Sequence, residues 1–273
     1  MRKLIFLSFL LYSVYFTQAQ TIKTGIAENS ALILKENSET GFVLKNTLSE
    51  LNFSTLNTDK GVFTQIELAG YTAGNEIGSP QLPVLRNLIE VPFGATISVK
   101  IKNAHVKTYN LNTLGYIGKL YPTQPPVSKN DENKNELIYN TNEYSKNQLL
   151  SLPLVNVEQL GIMRGVRIAR LNISPIQYNP VTNTIKVYTN IETEIRFDNA
   201  DLAANKAMKE KYYSPYFSSF QSKLLNNLSN INSKDALSKY PIKYVIVSDP
   251  MFQSALQPFI QWKTKKGFKV IEA

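Results

Sequence analysis

Along most of the chain, apolar positions recur at every second residue, the period of a half-buried strand. In Val62-Phe63-Thr64-Gln65-Ile66-Glu67-Leu68 the residues Val62, Ile66 and Leu68 share one face. Ile97, Val99 and Ile101 alternate with Ser98, Lys100 and Lys102, which predicts one buried and one wet face. Ile185-Lys186-Val187-Tyr188 and residues 191–197 repeat the pattern, with a bend expected near Asn190. Gly78-Ser79-Pro80, Pro92-Phe93-Gly94, Pro125-Pro126 and Asn179-Pro180-Val181-Thr182-Asn183 separate these runs with turn chemistry. Short strands punctuated by turns predict a mainly β protein, an antiparallel β-sandwich over residues 20–200.

Three stretches depart from this pattern. Residues 122–147 are rich in Asn, Lys and Glu and poor in large apolar residues, which predicts a long mobile loop. Loops of that length in compact domains are often functional. Residues 201–239 predict a helical, basic linker, with Asp201 capping a helix through Ala203, Ala204, Ala207 and Met208, and a second short helix over 215–229. Beyond it, Tyr244-Val245-Ile246-Val247 reads as a strand covered on both faces. Asp249-Pro250 opens a helix with Phe252, Leu256, Phe259 and Lys263 at helical spacing, Pro258 inside it and Gly267 as its stop. Phe268-Lys269-Val270-Ile271 starts another strand. One β-α-β unit cannot cover its own strands, so residues 240–273 predict the truncated start of an α/β domain.

The N-terminus reads as a signal peptide over residues 1–19. Arg2 and Lys3 precede an apolar run over 4–16, too short to span about 30 Å of hydrocarbon, and Thr17-Gln18-Ala19 is a small-residue cleavage site. Cleavage is expected between Ala19 and Gln20. The mature chain is then secreted or at the cell surface of a bacterium, with the export machinery as a partner and no transmembrane segment.

Composition removes several chemistries. With no cysteine and one histidine, His105, the chain has no thiolate metal centre, disulfide or cysteine nucleophile. No catalytic residue, metal or cofactor is expected, and His105 reads as a surface residue. Asp131, Asn133 and Asn135 have the spacing of a calcium loop, but Glu136 stands where its turn needs Gly and Asn142 where its bidentate Glu belongs. The net charge of +9 comes from lysines scattered along polar strand faces, so no nucleic-acid partner is expected. Glu192 and Glu194 lie on one strand face and read as solvent-facing, not as a glycosidase pair. Trp262 is expected in the core.

Two blocks carry a family resemblance. Arg164-Gly165-Val166-Arg167 and Ile173-Ser174-Pro175-Ile176-Gln177-Tyr178-Asn179-Pro180, with Gly78-Ser79-Pro80-Gln81-Leu82-Pro83 and Val91-Pro92-Phe93-Gly94-Ala95, resemble the propeptide of gingipain-type cysteine peptidases. Tyr244-Val245-Ile246-Val247-Ser248-Asp249 and Gln261-Trp262-Lys263-Thr264-Lys265-Lys266-Gly267 resemble the start of their caspase-like catalytic domain. The resemblance implies the N-terminal part of a secreted peptidase precursor, inactive by itself because the family's catalytic His and Cys fall downstream. It also implies the type IX export route of Bacteroidetes, with a C-terminal sorting domain beyond Ala273.

The implied role is inhibitory and chaperone-like, with the chain's own or cognate catalytic domain as partner and a basic side chain placed in its specificity pocket. Lys129 and Lys134, in the predicted loop, are the candidates, while Arg164 and Arg167 read as strand residues. Lys206, Lys209, Lys211, Lys234 and Lys239 are candidate processing sites in the predicted linker. The alternative is an exported β-sandwich binding or adhesion module without enzymatic activity.

Overall fold

A computed structural model describes residues 20–25, 29–74, 76–126, 136–228 and 240–273. The described residues are mainly β. One sheet orders β1 (Gln20–Lys23), β4 (Glu50–Thr58), β5 (Gly61–Glu67) and β9 (Lys119–Leu120). A second orders β10 (Val155–Met163), β11 (Val166–Ile173), β7 (Pro83–Glu90) and β6 (Thr72–Ala73). The largest orders β12 (Ile176–Asn179), β13 (Thr184–Asp198), β3 (Gly41–Thr47) and β2 (Ala31–Ser38), with β8 (Thr96–Asn110) along the other side of β13. Pairing in these sheets is antiparallel apart from the short parallel contact of β5 with β9.

Strand β13 sets the architecture. Its odd-numbered residues from Ile185 to Phe197 are all buried. Ile185 and Val187 join one core with Leu51, Phe53, Ile66, Leu120 and Tyr178. Ile191, Ile195 and Phe197 join another with Leu44, Ile89, Ala169, Leu171 and Ile173. The two smaller sheets therefore sit side by side over one face of the large one, and the predicted sandwich has two cores. Length explains this, because a strand of 15 residues runs about 50 Å and outreaches any single strand laid across it.

No turn interrupts the chain near Asn190: β13 is one continuous strand there, and the irregularity expected at that point is a bulge, since its register with β8 slips at Tyr188/Asn190 and again at Glu192/Thr193. The first slip leaves Thr189 extra in β13 and the second leaves Lys102 extra in β8, so the two bulges cancel. The buried face expected for β8 is also largely absent. Ile97 packs on the second core, but Val99 and Ile101 are 38% and 42% exposed because β8 is an edge strand beyond the cover of the facing sheet.

Residues 202–228 differ most from expectation. Helix α2 (Leu202–Lys211) is capped by Asp201, whose Oδ1 accepts from the Ala204 N–H at 2.9 Å. A 3-10 turn (Pro215–Phe217) and α3 (Ser218–Gln221) follow. This stretch is a strap docked on the second sheet. Leu224 buries against Val166 and Ile168, with Leu88 and Phe220 beside them. β7 has a free edge beyond its short pairing with β6, and the strap covers it. Leu225 N–H donates to Leu88 O at 2.9 Å, and the Asn226 amide bonds both Glu90 N–H (2.8 Å) and Glu90 O (2.9 Å). The Glu90 carboxylate pairs with the Lys209 ammonium and accepts from Asn205 Nδ2 at 3.1 Å. Gly165 allows the approach, since a Cβ there would stand 2.4 Å from Met208 O.

Residues 240–273 form the predicted β-α-β unit. β14 (Lys243–Ile246) pairs in parallel with β15 (Lys269–Glu272). Between them, Asp249 caps a 3-10 turn (Pro250–Phe252) leading into α4 (Gln253–Lys265), which contains Pro258. Trp262 is 50% exposed rather than core, with the Lys263 ammonium 4.5 Å from its ring centroid. Val245 and Val247 are also exposed, so nothing among the described residues covers that side of β14.

Buried phenols give the fold an alkaline limit. Tyr71 Oη exchanges hydrogen bonds with the Asn46 amide, and burial pushes its pKa up to about 12, against a smaller lowering by that amide. Burial also raises Tyr144 and Tyr178. A folded pKa above the unfolded value near 10 gives stability that is complete below about pH 10 and lost as pH rises through the folded value. Urea midpoints should fall steadily above about pH 10, and Tyr71→Phe should flatten that fall. A pH-independent midpoint from about 9 to 12 would contradict it.

Candidate functional site

The stretch read as one long loop over 122–147 is ordered at both ends. Residues 127–135, with Lys129, Lys134 and the calcium-like Asp131, Asn133 and Asn135, lie outside the described residues. The root of the connection is built by Gly78-Ser79-Pro80-Gln81. Gly78 N–H donates to Thr123 O at 2.8 Å and Gly78 O accepts from Asn140 N–H at 3.0 Å, so one residue bonds both stems. Thr123 N–H donates to Ser79 O, Pro80 bridges Pro122, and Gln81 N–H donates to Tyr121 O. Gly78 has φ +81°, and a Cβ there would meet Asn140 N and Ile138 Cγ2 at 3.3 Å. A side chain would strain the backbone and crowd the second stem together.

Gln124 closes the stems on each other, and Lys60 ties the returning stem to the β4–β5 turn. The Gln124 amide donates through Nε2 to Ile138 O at 2.8 Å and accepts at Oε1 from Ile138 N–H at 2.9 Å. It thus pairs with a backbone as a neighbouring strand would. Lys60, at the β4–β5 turn, donates to Glu136 Oε1 at 2.9 Å and Leu137 O at 2.8 Å. Its ammonium holds the Glu136 carboxyl below the usual range, chiefly through the hydrogen bond.

The returning stem is anchored in the core. Asn140 caps α1 (Thr141–Ser145), accepting from the Asn142 and Glu143 N–H groups. Tyr144 is buried, donates to Leu120 O at 2.6 Å, and stacks on Tyr139 with ring centroids 4.2 Å apart. The sequence missed this helix because one turn is too short to show a 3.6-residue period. It also missed Gln124 and Lys60, whose partners are distant or backbone atoms. The one available signal was the Gly-Ser-Pro-Gln-Leu-Pro motif, read as fold-forming, which is the socket of the stems.

The other candidates scatter. Arg164 is not a strand residue. It occupies the β10–β11 turn with φ 53°, and its guanidinium lies 4.1 Å from the Phe217 ring centroid. Arg167 does lie in β11, bound to the Pro92 and Ala95 carbonyls. Lys206, Lys209 and Lys211 sit on α2, a helix as expected but docked rather than free, and Lys209 is tied up with Glu90. Lys234 and Lys239 lie outside the described residues, as does Ala19, while Gln20 opens β1. His105 lies on β8 and Glu192 pairs with Lys35 at 2.9 Å. No helix among the described residues is long and apolar enough to cross a membrane.

Comparison with known proteins places this geometry in a family. The Propeptide_C25 family model matches residues 26–221. Lys-gingipain of Porphyromonas gingivalis is 36% identical over 98% of the chain, which spans 16% of that relative's length. Gingipain R1 of the same organism is 21% identical over 90% of the chain. The structure reported as "Structural insight into zymogenic latency of gingipain K from Porphyromonas gingivalis" is 38% identical, with a TM-score of 0.62 over 67% of this chain and 100% of that one. The complex of Porphyromonas gingivalis RgpB pro- and mature domains, 19% identical with a TM-score of 0.58, shares the fold over 73% of this chain and 99% of that one. With the family model matched across both cores, the loop root and most of the strap, the chain belongs to the Propeptide_C25 family, the pro-region of gingipain-type precursors.

Proposed function

We propose that residues 20–228 are the inhibitory and chaperone pro-domain of a secreted gingipain-like cysteine endopeptidase, and that residues 240–273 open its caspase-like catalytic domain. The observation that carries this is the braced root at Gly78, Gln124 and Lys60, which fixes both ends of the 127–135 connection to the sandwich. Ordering a free loop costs affinity, so an inhibitory segment gains from such a base. The relatives support the direction, since gingipain K has been studied for zymogenic latency and RgpB as a complex of pro- and mature domains. On this reading the catalytic His and Cys belong to the part of the precursor beyond this chain.

Lys129 or Lys134 is the side chain offered to the partner's pocket. Processing falls in 229–239, where Lys234 and Lys239 are, because the strap through residue 228 is docked. Export removes residues 1–19, and a chain starting at Gln20 keeps the whole of β1. The test adds the full chain to the mature peptidase of its own precursor. Changing Lys129 and Lys134 together to alanine should raise the inhibition constant at least tenfold, about 1.4 kcal/mol. An unchanged constant would remove these lysines, and no inhibition by the parent chain would leave the exported binding module.

A further inference from the structure

We propose that the cleft between the strap and the β-α-β unit binds a small, multiply charged oxyanion of the pyrophosphate class. This goes beyond the inhibitory reading and does not depend on it. The cleft measures about 650 Å³ and opens where the end of α2, the β10–β11 turn and the first residues of β14 and β15 meet. A volume of that order suits a small molecule.

The charge of the cleft is of one sign. Arg164, Lys211, Lys243 and Lys269 line it, and no carboxylate among the described residues does. None of the four is in an ion pair among the described residues. Arg164 and Lys211 lie over the rings of Phe217 and Tyr212, a contact that takes up no hydrogen bond. Lys243 and Lys269 are register partners in β14 and β15, so their side chains leave the sheet on one face from strands about 4.8 Å apart. Like charges side by side on a sheet are destabilising, and a cleft lined by one sign concentrates the opposite ion. An anion seated there turns the repulsion into attraction.

The second observation is Ser214. It is 5% exposed, lines the same cleft and stands before the 3-10 turn at Pro215–Phe217. Its hydroxyl caps nothing there and has no hydrogen-bond partner among the described residues. A buried hydroxyl without a partner is costly, and an oxyanion oxygen satisfies it by accepting its hydrogen bond. Arginine and lysine supply the charge-assisted donors that phosphate groups take. Four positive charges around this volume match a ligand with two phosphate groups better than a monovalent ion. Arg164, Lys211 and Ser214 belong to the sandwich and its strap, Lys243 and Lys269 to the β-α-β unit, so the bound anion ties the two together.

The test titrates sodium pyrophosphate into the full chain by calorimetry, with sodium chloride at matched ionic strength as the control. Pyrophosphate should bind at one site and raise the thermal midpoint, and chloride should do neither. Binding should weaken as salt is added, because exposed charges are screened beyond about 10 Å at 0.1 M. Lys243→Gln with Lys269→Gln should lower the affinity at least tenfold, and Ser214→Ala at least threefold. Lys211→Gln changes an exposed side chain and tests the strap side should Ser214→Ala disturb the fold. Lys100→Gln with Lys186→Gln removes the same charge from the large sheet and should leave the affinity unchanged. Equal losses from the two lysine pairs would mean that anions are drawn to a basic protein in general and would overturn the site. Pyrophosphate that binds no better than chloride would overturn it as well.

Discussion

A chain ending at residue 200 should be markedly less stable than one ending at 228, although the sequence pattern puts the end of the β region near 200. Truncation exposes Leu88, Val166 and Ile168, strips the hydrogen bonds from the β7 edge, and leaves the Glu90 carboxylate without Lys209. Removing one partner of a buried ion pair costs about 3–5 kcal/mol. Both side chains keep slight solvent contact, at 13% and 10%, which points to about 3 kcal/mol for Lys209→Met alone. For a domain of this size that lowers the thermal midpoint by roughly 10 °C, and the shorter chain should also self-associate through its bare strand edge. Equal midpoints and a monomeric 20–200 chain would show that the strap is not part of the domain. Limited trypsin digestion of the full chain should cut at Lys234 or Lys239 before Lys206, Lys209 or Lys211, because the latter sit on a docked helix.

Asn183→Ala should cost as much or more. Asn183 closes the β12–β13 turn with φ 50°, and its buried amide joins three segments. Nδ2 donates to Asn112 Oδ1 at 2.7 Å and Tyr116 O at 3.0 Å, and Oδ1 accepts from Tyr178 Oη at 2.9 Å. Tyr178 Oη in turn accepts from Leu120 N–H, at the start of the stem that leads to Gln124. Alanine leaves buried polar groups unpaired at about 1–3 kcal/mol each and adds about 1–2 kcal/mol for the left-handed backbone. The sum, about 3–6 kcal/mol, is a large part of an ordinary domain's stability. Asn183→Gly separates the two causes, since it relieves the backbone and keeps the lost amide. A urea-derived loss below about 1 kcal/mol for alanine would mean that the network is not structural.

These sites mark where the sequence was legible. The alternating run of β13, the Asp201 and Asp249 caps and the Gly267 stop are local features, and the structure has each of them. The turn at 179–183 was legible as a turn, but the buried role of Asn183 was not, because the partners of its Nδ2 lie 65 or more residues away. For the loop, composition correctly separated residues 122–147 from the strands but hid the one-turn helix and Tyr144.

By itself the sequence determined the strands, the caps, the β-α-β segment and, through its motifs, the family, because each depends on periodicity or on residues close together in the chain. Tertiary structure decided the rest. It split one predicted sandwich into two cores along β13, turned a predicted linker into a strap over β7, and closed the loop stems through Gly78, Gln124 and Lys60. The physical reason is the same in each case: a free strand edge, an uncovered apolar face or an unpaired amide must find a partner in space, and the sequence pattern records that need without recording which partner meets it.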